Sequence, residues 1–257
     1  MRRREWALAG LAAGFSPWAL AKPGLAGPLV AFTEHLPPLN FQDAAGQPAG
    51  FSSELLQLMA AQAQLSLDIN VQPWRRAVQA AAAQDNSILF SLTRLPERER
   101  QYRWVGPISE RRIIVYGLRQ REDLPELKQV SDLRRLQQGM KVGVVRESAA
   151  ARRLQEEGLL AGETLELALD DGSNLRKLLA RRMDLMVMLD WAAAWQLHQL
   201  RLDYRTLRPL LELDARRSYW YGLHPDSDDR VVLALQAALD QLRRDGRYAR
   251  LRQRYFS

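Results

Sequence analysis

The chain has 257 residues, with 37 Lys and Arg against 30 Asp and Glu for a formal charge of +7, and no cysteine. The length fits one large domain or two small ones with apolar residues enough for two cores; the absence of cysteine excludes disulfides, thiolate zinc sites and cysteine nucleophiles. The positive balance alone would admit nucleic acid, but the basic residues are scattered along helices beside acids (Arg176, Lys177, Arg181 and Arg182 near Asp171 and Asp184) with no aromatic-basic stripe. A solvated surface accounts for that pattern, and no nucleic-acid partner is expected.

Arg2, Arg3 and Arg4, an apolar run from Trp6 to Trp18 and the Ala19-Leu20-Ala21 end have the layout of a cleavable secretory leader over residues 1–21. The run is shorter than the roughly 20 residues of a spanning helix. Export to the periplasm is the expectation, and loss of three Arg and Glu5 takes the charge from +7 to +5. Arg3-Arg4 meets the twin-arginine pattern only weakly, so the export route stays open.

Strands and helices then alternate. Residues 29–33, 67–71 and 88–92 read as strands; residues 53–64, with Leu55, Leu56, Leu58 and Met59 at helical spacing behind Ser53 as cap, and residues 74–83 read as helices. This order predicts an open α/β sheet with crossover helices, whose ligands lie beyond the carboxyl ends of the strands, where Glu34, Trp74 and Ser91 fall. Residues 111–118 read as a further strand. A second α/β unit follows, with strands 142–145, 165–167 and 185–189 and helices 149–157, 173–181 (capped by Ser173) and 191–198. The stretches 210–213 and 219–223 precede an amphipathic helix over 229–243.

The sharpest chemical signal is Ser87-Ile-Leu-Phe-Ser91-Leu-Thr93-Arg-Leu-Pro96-Glu-Arg98. Pro96 ends the buried strand, so two hydroxyls and a guanidinium converge on one cleft wall. A planar guanidinium binds a carboxylate through two parallel charge-assisted hydrogen bonds, and hydroxyls can donate to the same oxygens.

This segment resembles the bacterial solute-binding proteins of family 3, the polar amino-acid receptors of ABC importers. The likeness continues through Thr33-Glu34-His35-Leu36-Pro37-Pro38-Leu39-Asn40-Phe41, Gly50-Phe51, Trp74-Arg75-Arg76, Val142-Gly143-Val144-Val145-Arg146-Glu147-Ser148 and Arg182-Met183-Asp184, and it covers residues 29–256. It implies a two-lobed periplasmic binding protein fold of type II, two open α/β sheets joined by a two-strand hinge. The chain would cross between lobes near Glu110 and near Arg217, giving one lobe of residues 22–110 and 218–257 and another of residues 111–217. Two crossings let the lobes close on a ligand.

The resemblance also implies that Ser91, Thr93 and Arg98 grip a carboxylate. Ser148, at a helix N-terminus with free backbone N–H groups, would complete the grip from the second lobe, and Asp190 would pair with an ammonium group. Several residues depart from the family pattern. Glu147 stands where relatives have Gly, and Ala149 replaces a second hydroxyl. Asp190 comes one residue late, so the strand end must bulge or the role must shift. Leu36 stands where many receptors have an aromatic residue, and Trp74 could supply the flat wall instead, or could equally be core. Glu34 is the first-lobe acid, either pairing with a cationic group or lying in water at the rim. Asp184 reads as structural.

The expected function is capture of a small carboxylate, an amino acid, by a monomeric protein that delivers it to an inner-membrane ABC permease, with no catalytic residue and no cofactor. No metal is expected either, since His35, His198 and His224 are far apart in sequence without a carboxylate cluster. Nucleophile-elbow and phosphate-loop patterns are absent, and Met183, Met186 and Met188 read as core. Two rivals remain. The fold also serves cyclohexadienyl and arogenate dehydratases, for which Glu147 or Glu34 would be the proton donor. It also serves ligand sensors, which are usually fused to membrane and kinase segments that this sequence does not contain.

Overall fold

The computed structural model describes residues 28–256; the leader expected over residues 1–21 lies outside the described residues. The chain runs through β1 (Leu29–Thr33), the short pair β2 (Phe41–Gln42) and β3 (Pro48–Ala49), α1 (Phe51–Gln62), β4 (Leu67–Val71), α2 (Trp74–Ala82) and β5 (Ser87–Thr93). A 3-10 turn at Pro96–Arg98 leads into β6 (Arg103–Leu118). The second unit is β7 (Val142–Val145), α3 (Ala149–Glu156), β8 (Leu165–Ala168), α4 (Asp171–Leu179), β9 (Leu185–Leu189) and α5 (Asp190–Gln199). The chain returns through β10 (Leu207–Leu223), α6 (Asp229–Arg244) and α7 (Arg247–Tyr255).

Eight strands hydrogen-bond in the order β4-β1-β5-β10-β6-β9-β7-β8. β1 lies parallel to β4 and β5, and β7 parallel to β8 and β9, while β6 and β10 run antiparallel through the middle. These two strands serve both halves. Residues 219–223 of β10 pair with β5 at one end, and residues 113–117 of β6 pair with β9 at the other. Between them, where Arg111 faces Arg217, the ladder shifts register at Glu212/Asp214 and again at Asp214/Arg217. Each shift leaves backbone groups out of the ladder and raises local twist at this crossing.

The inner parallel strands β1, β5, β7 and β9 are mostly buried on both faces, as near-continuous apolar runs require, while the outer strands β4 and β8 are partly exposed. In the first half Ile88 and Phe90 pack with Leu55, Tyr221 and Leu235 on one face, while Leu89 and Leu92 pack with Phe32 and Ala77 on the other. In the second half Val142, Val144, Leu185 and Val187 meet Leu154 of α3 on one face. Tyr116, Met186 and Met188 meet Leu175 and Leu178 of α4 on the other, so the methionines do fill core. No helix among the described residues is long and apolar enough to cross a membrane.

Several local expectations are corrected. α1 starts at Phe51, two residues before Ser53, because Gly50 takes φ +104° and a Cβ there would stand 2.7 Å from the Leu39 carbonyl oxygen. Ser53 is instead buried within the helix, its hydroxyl without a hydrogen-bond partner among the described residues. α4 is capped by Asp170, whose carboxylate accepts the Ser173 N–H at 2.7 Å, so Ser173 is an interior residue and not the cap. The stretches read as 111–118, 210–213 and 219–223 are parts of two strands of 16 and 17 residues. Charged residues at the crossing hide that continuity, since a ladder is made by backbone whatever the side chain.

Candidate functional site

β5 ends at the first wall of the cleft. Its register to β10 pairs Phe90 with Tyr221 and Leu92 with Trp220, leaving Ser91 unpaired as a bulge at φ +56°. A non-glycine residue in the left-handed region costs free energy and persists where the surroundings fix it, commonly at ligand sites. The Ser91 hydroxyl donates to Asn40 Oδ1, and the Asn40 amide donates in turn to the Glu34 carbonyl. Asn40 is fully buried. Because a serine has one hydroxyl proton, Ser91 here is not free to donate it to a ligand as expected; its place in the wall is held by Asn40.

Thr93 closes the strand half-buried, and its carbonyl accepts from Arg98 Nη1 at 3.2 Å. Arg98 is half-buried in the 3-10 turn, and no carboxylate lies in ion-pair range of it among the described residues. Arg94 and Arg100 are exposed, and Arg94 is already paired with Glu99. Trp74 opens α2 half-buried, one side packed on the cluster of Phe32, Ala77, Leu89 and Leu92. Its packing is thus that of a core residue with one side left open. Glu34, beyond the end of β1, is half-buried, and burial raises its carboxyl above the usual range.

The second wall surrounds a cavity of about 200 Å³ lined by Arg111, Val145, Ser148, Asp171, Val187 and Leu189 among others. Ser148 caps α3, its Oγ accepting the Ala151 N–H at 3.0 Å, which leaves the hydroxyl proton available to a ligand. Glu147 takes φ +59°. That backbone position explains why glycine suits it, and Glu147 itself is exposed, beside Arg146, Arg152 and Gln155 in a separate surface depression. Arg111 donates to Asp214 at 2.9 Å and adjoins Tyr219. Tyr219 pairs in the ladder with Thr93 and Ser109, and burial pushes its phenol up to about 12. Tyr219 also feels the charge of Glu34, so the two walls meet at Tyr219 and Arg111.

Asp190 does not join this cavity. Side chains alternate along a strand, so a one-residue displacement turns an acid to the other face. No bulge in β9 compensates: residues 185–189 pair regularly with β6, and Leu189 takes the cleft side. Asp190 is 4% exposed, accepting from the hydroxyls of Tyr116 (2.9 Å) and Tyr204 and from Arg112 Nη1 at 3.4 Å. The next residue, Trp191, packs tilted on Phe51 at 4.8 Å and edge-to-face on Phe256 at 4.9 Å. Asp184 accepts the Lys141 N–H at 2.9 Å and pairs with Arg121, a structural part.

Sequence reasoning missed Asn40, Arg111, Tyr219 and Asp171. Asp171 had a readable signal: an Asp-Asp pair just beyond a strand's carboxyl end, where cleft residues fall. It is half-buried, and burial with Asp170 alongside pushes its carboxyl up to about 6. One expectation about histidine is also corrected. His224 does lie with carboxylates, its ligand atom within 4.8 Å of those of Asp85 and Asp226. Both acids are exposed and His224 Nδ1 accepts the Asp226 N–H at 3.3 Å, so the group reads as a surface turn outside the cleft.

Solved structures with the same fold include an ancestral cationic amino acid solute-binding protein (19% identity, 90% of this chain and 96% of that one, TM-score 0.74), also described as a precursor of cyclohexadienyl dehydratase. The unliganded, open L-cystine receptor of Neisseria gonorrhoeae is similar at 16% identity, 89% and 92% coverage and TM-score 0.69. A histidine kinase sensor domain with similarity to periplasmic binding proteins is similar at 23%, 90% and 96%, and 0.64. No protein of curated function matches the chain. The family model of the bacterial extracellular solute-binding proteins, family 3, matches residues 29–257. Its span takes in both strand crossings and both walls of the cleft, and the chain belongs to that family.

Proposed function

We propose that the protein is a periplasmic receptor that binds a small carboxylate, an amino acid, between a lobe of residues 22–110 with 218–257 and a lobe of residues 111–217. It then presents the ligand to an inner-membrane ABC permease, acting as a monomer exported by its leader. The observation that carries this reading is Arg98: a half-buried guanidinium at a strand end, bonded to the Thr93 carbonyl with no acid in ion-pair range among the described residues. A guanidinium in that condition is suited to an incoming carboxylate. Ser148 and the N-terminus of α3 offer the same anion a hydroxyl proton and backbone N–H groups from the other wall. The register shifts at the crossing support closure between them. An ancestral amino-acid-binding protein and a cystine receptor of the same fold agree with such a ligand.

The dehydratase reading has lost one of its two proton donors, since Glu147 points to a surface depression outside the cleft. It keeps Glu34, whose raised carboxyl would suit a general acid; incubation with prephenate and arogenate tests it directly. The binding reading is tested by calorimetry against the common L-amino acids. Losing one partner of a desolvated charge pair removes about 2–5 kcal/mol, so Arg98→Ala should weaken the best ligand about thirty-fold to several-thousand-fold. Arg100→Ala, at an exposed position, should change affinity little. Near wild-type affinity in Arg98→Ala would end the carboxylate-receptor reading.

A further inference from the structure

We propose that Asp171, and not Asp190, is the carboxylate that takes the α-ammonium group of the ligand in this protein. The proposal rests on the cleft being an amino-acid site. Asp171 lines the same cavity of about 200 Å³ as Ser148, the start of α3 and Leu189. In so small a space, a ligand whose carboxylate reaches Ser148 places the substituents of the adjacent carbon inside the same cavity.

No structural duty accounts for Asp171. The cap of α4 is Asp170, which already accepts the Ser173 N–H. An acid that served only the helix dipole would stand in water, but Asp171 is half-buried, and no cation lies in ion-pair range of it among the described residues. Its raised carboxyl is the mark of a charge desolvated without a counter-charge. The other acids are unsuited. Asp190 is occupied by three donors on the far face of β9, and the cleft side of that strand end carries Leu189. Glu34 stands on the first wall beside Tyr219, a position suited to the distal end of a ligand.

The test pairs the tightest-binding common L-amino acid with its deamino carboxylate, the same molecule without the ammonium group, in calorimetry on the full protein. In wild type, removing the ammonium should weaken binding by at least about thirty-fold. In Asp171→Asn the amino acid should weaken by a similar factor and the two ligands should bind within a few-fold of each other. Asp190→Asn should keep the wild-type discrimination. A structural role for Asp171 would lower both affinities alike, so preserved discrimination in Asp171→Asn overturns the proposal even with Arg98→Ala inactive and the amino-acid reading intact. Loss of discrimination in Asp190→Asn alone would return the role to Asp190. If no amino acid binds wild type, both the reading and the proposal fall.

Discussion

Replacing Asp171 by Asn should make the ligand-free protein more stable at neutral pH. The folded protein holds this carboxyl at about 6 against an ordinary value of 3.8, a difference worth about 3 kcal/mol between its two protonation states. A carboxyl raised on folding lends stability that is fully present below the unfolded value and lost as pH climbs through the folded one. At pH 7 the wild type has therefore forfeited it, while the Asn variant never carries the charge. Two effects shrink the gain. The side chain is half-buried, so solvent screens part of the penalty, and the charged form gains about 0.3–1 kcal/mol from the N-terminus of α4 that Asn gives up.

A net gain of about 1–2 kcal/mol remains, which for a chain of this size is a rise in Tm of about 2–4 °C. Thermal melts of both proteins without ligand, from pH 4 to pH 8, measure it. The two should melt nearly together near pH 4, separate progressively as pH rises from about 4 to about 6, and keep a constant difference above that. A variant that melts below wild type at pH 7, or a difference constant across the range, would show that the carboxylate is not under strain in the empty cleft. Saturating amino acid should reverse the order, since only wild type recovers the cost of the charge on binding.

Three further outcomes are expected. Asp190→Ala removes the carboxylate acceptor of two tyrosine hydroxyls, which keep each other at 2.8 Å, and leaves Arg112 to Glu212, so chemical denaturation should show a loss of about 1–3 kcal/mol, with amino-acid affinity of the folded protein unchanged within a few-fold. Glu147→Gly relieves a left-handed backbone at φ +59° and should raise stability by up to about 1 kcal/mol in the same assay. Arg98→Lys should bind amino acids almost as poorly as Arg98→Ala in calorimetry, because an ammonium cannot reproduce the planar fork.

Most of the fold is legible in the sequence because its inner parallel strands are mostly buried on both faces and write themselves as apolar runs, as at Ile88–Phe90 and Leu185–Leu189. What escapes depends on contacts distant in sequence. Ser53 has the chemistry of a cap, but the close approach of Leu39 places the start of α1 at Gly50. At the site, Arg98 is visible as a guanidinium after a strand-ending proline, whereas the Ser91 hydroxyl is consumed by Asn40, 51 residues away. The displaced acid at Asp190 is visible as a spacing anomaly. Whether it bulges or turns away is decided by the pairing of β9 with β6 and by two tyrosines that no local pattern connects to it.

That displacement supplies the most demanding test of how the cleft is built. If the strand pleat alone sends Asp190 to the far face, then an acid at position 189 points into the cavity. Asp190 itself cannot be moved there, because it holds Tyr116, Tyr204 and Arg112 while Trp191 beside it is packed into the first-half core. Leu189→Asp placed on top of Asp171→Asn leaves that anchor intact and returns one carboxylate to the cavity. The double variant should recover discrimination between an amino acid and its deamino carboxylate, to within about ten-fold of wild type, an allowance of about 1.4 kcal/mol for imperfect geometry. Leu189→Asp alone should bind the amino acid no better than wild type, since two acids in one small cavity repel and one of them takes up a proton. A folded double variant that still treats the two ligands alike would mean that the cavity beside Ser148 is not where the ammonium sits, and the second wall would have to be reassigned around Arg111.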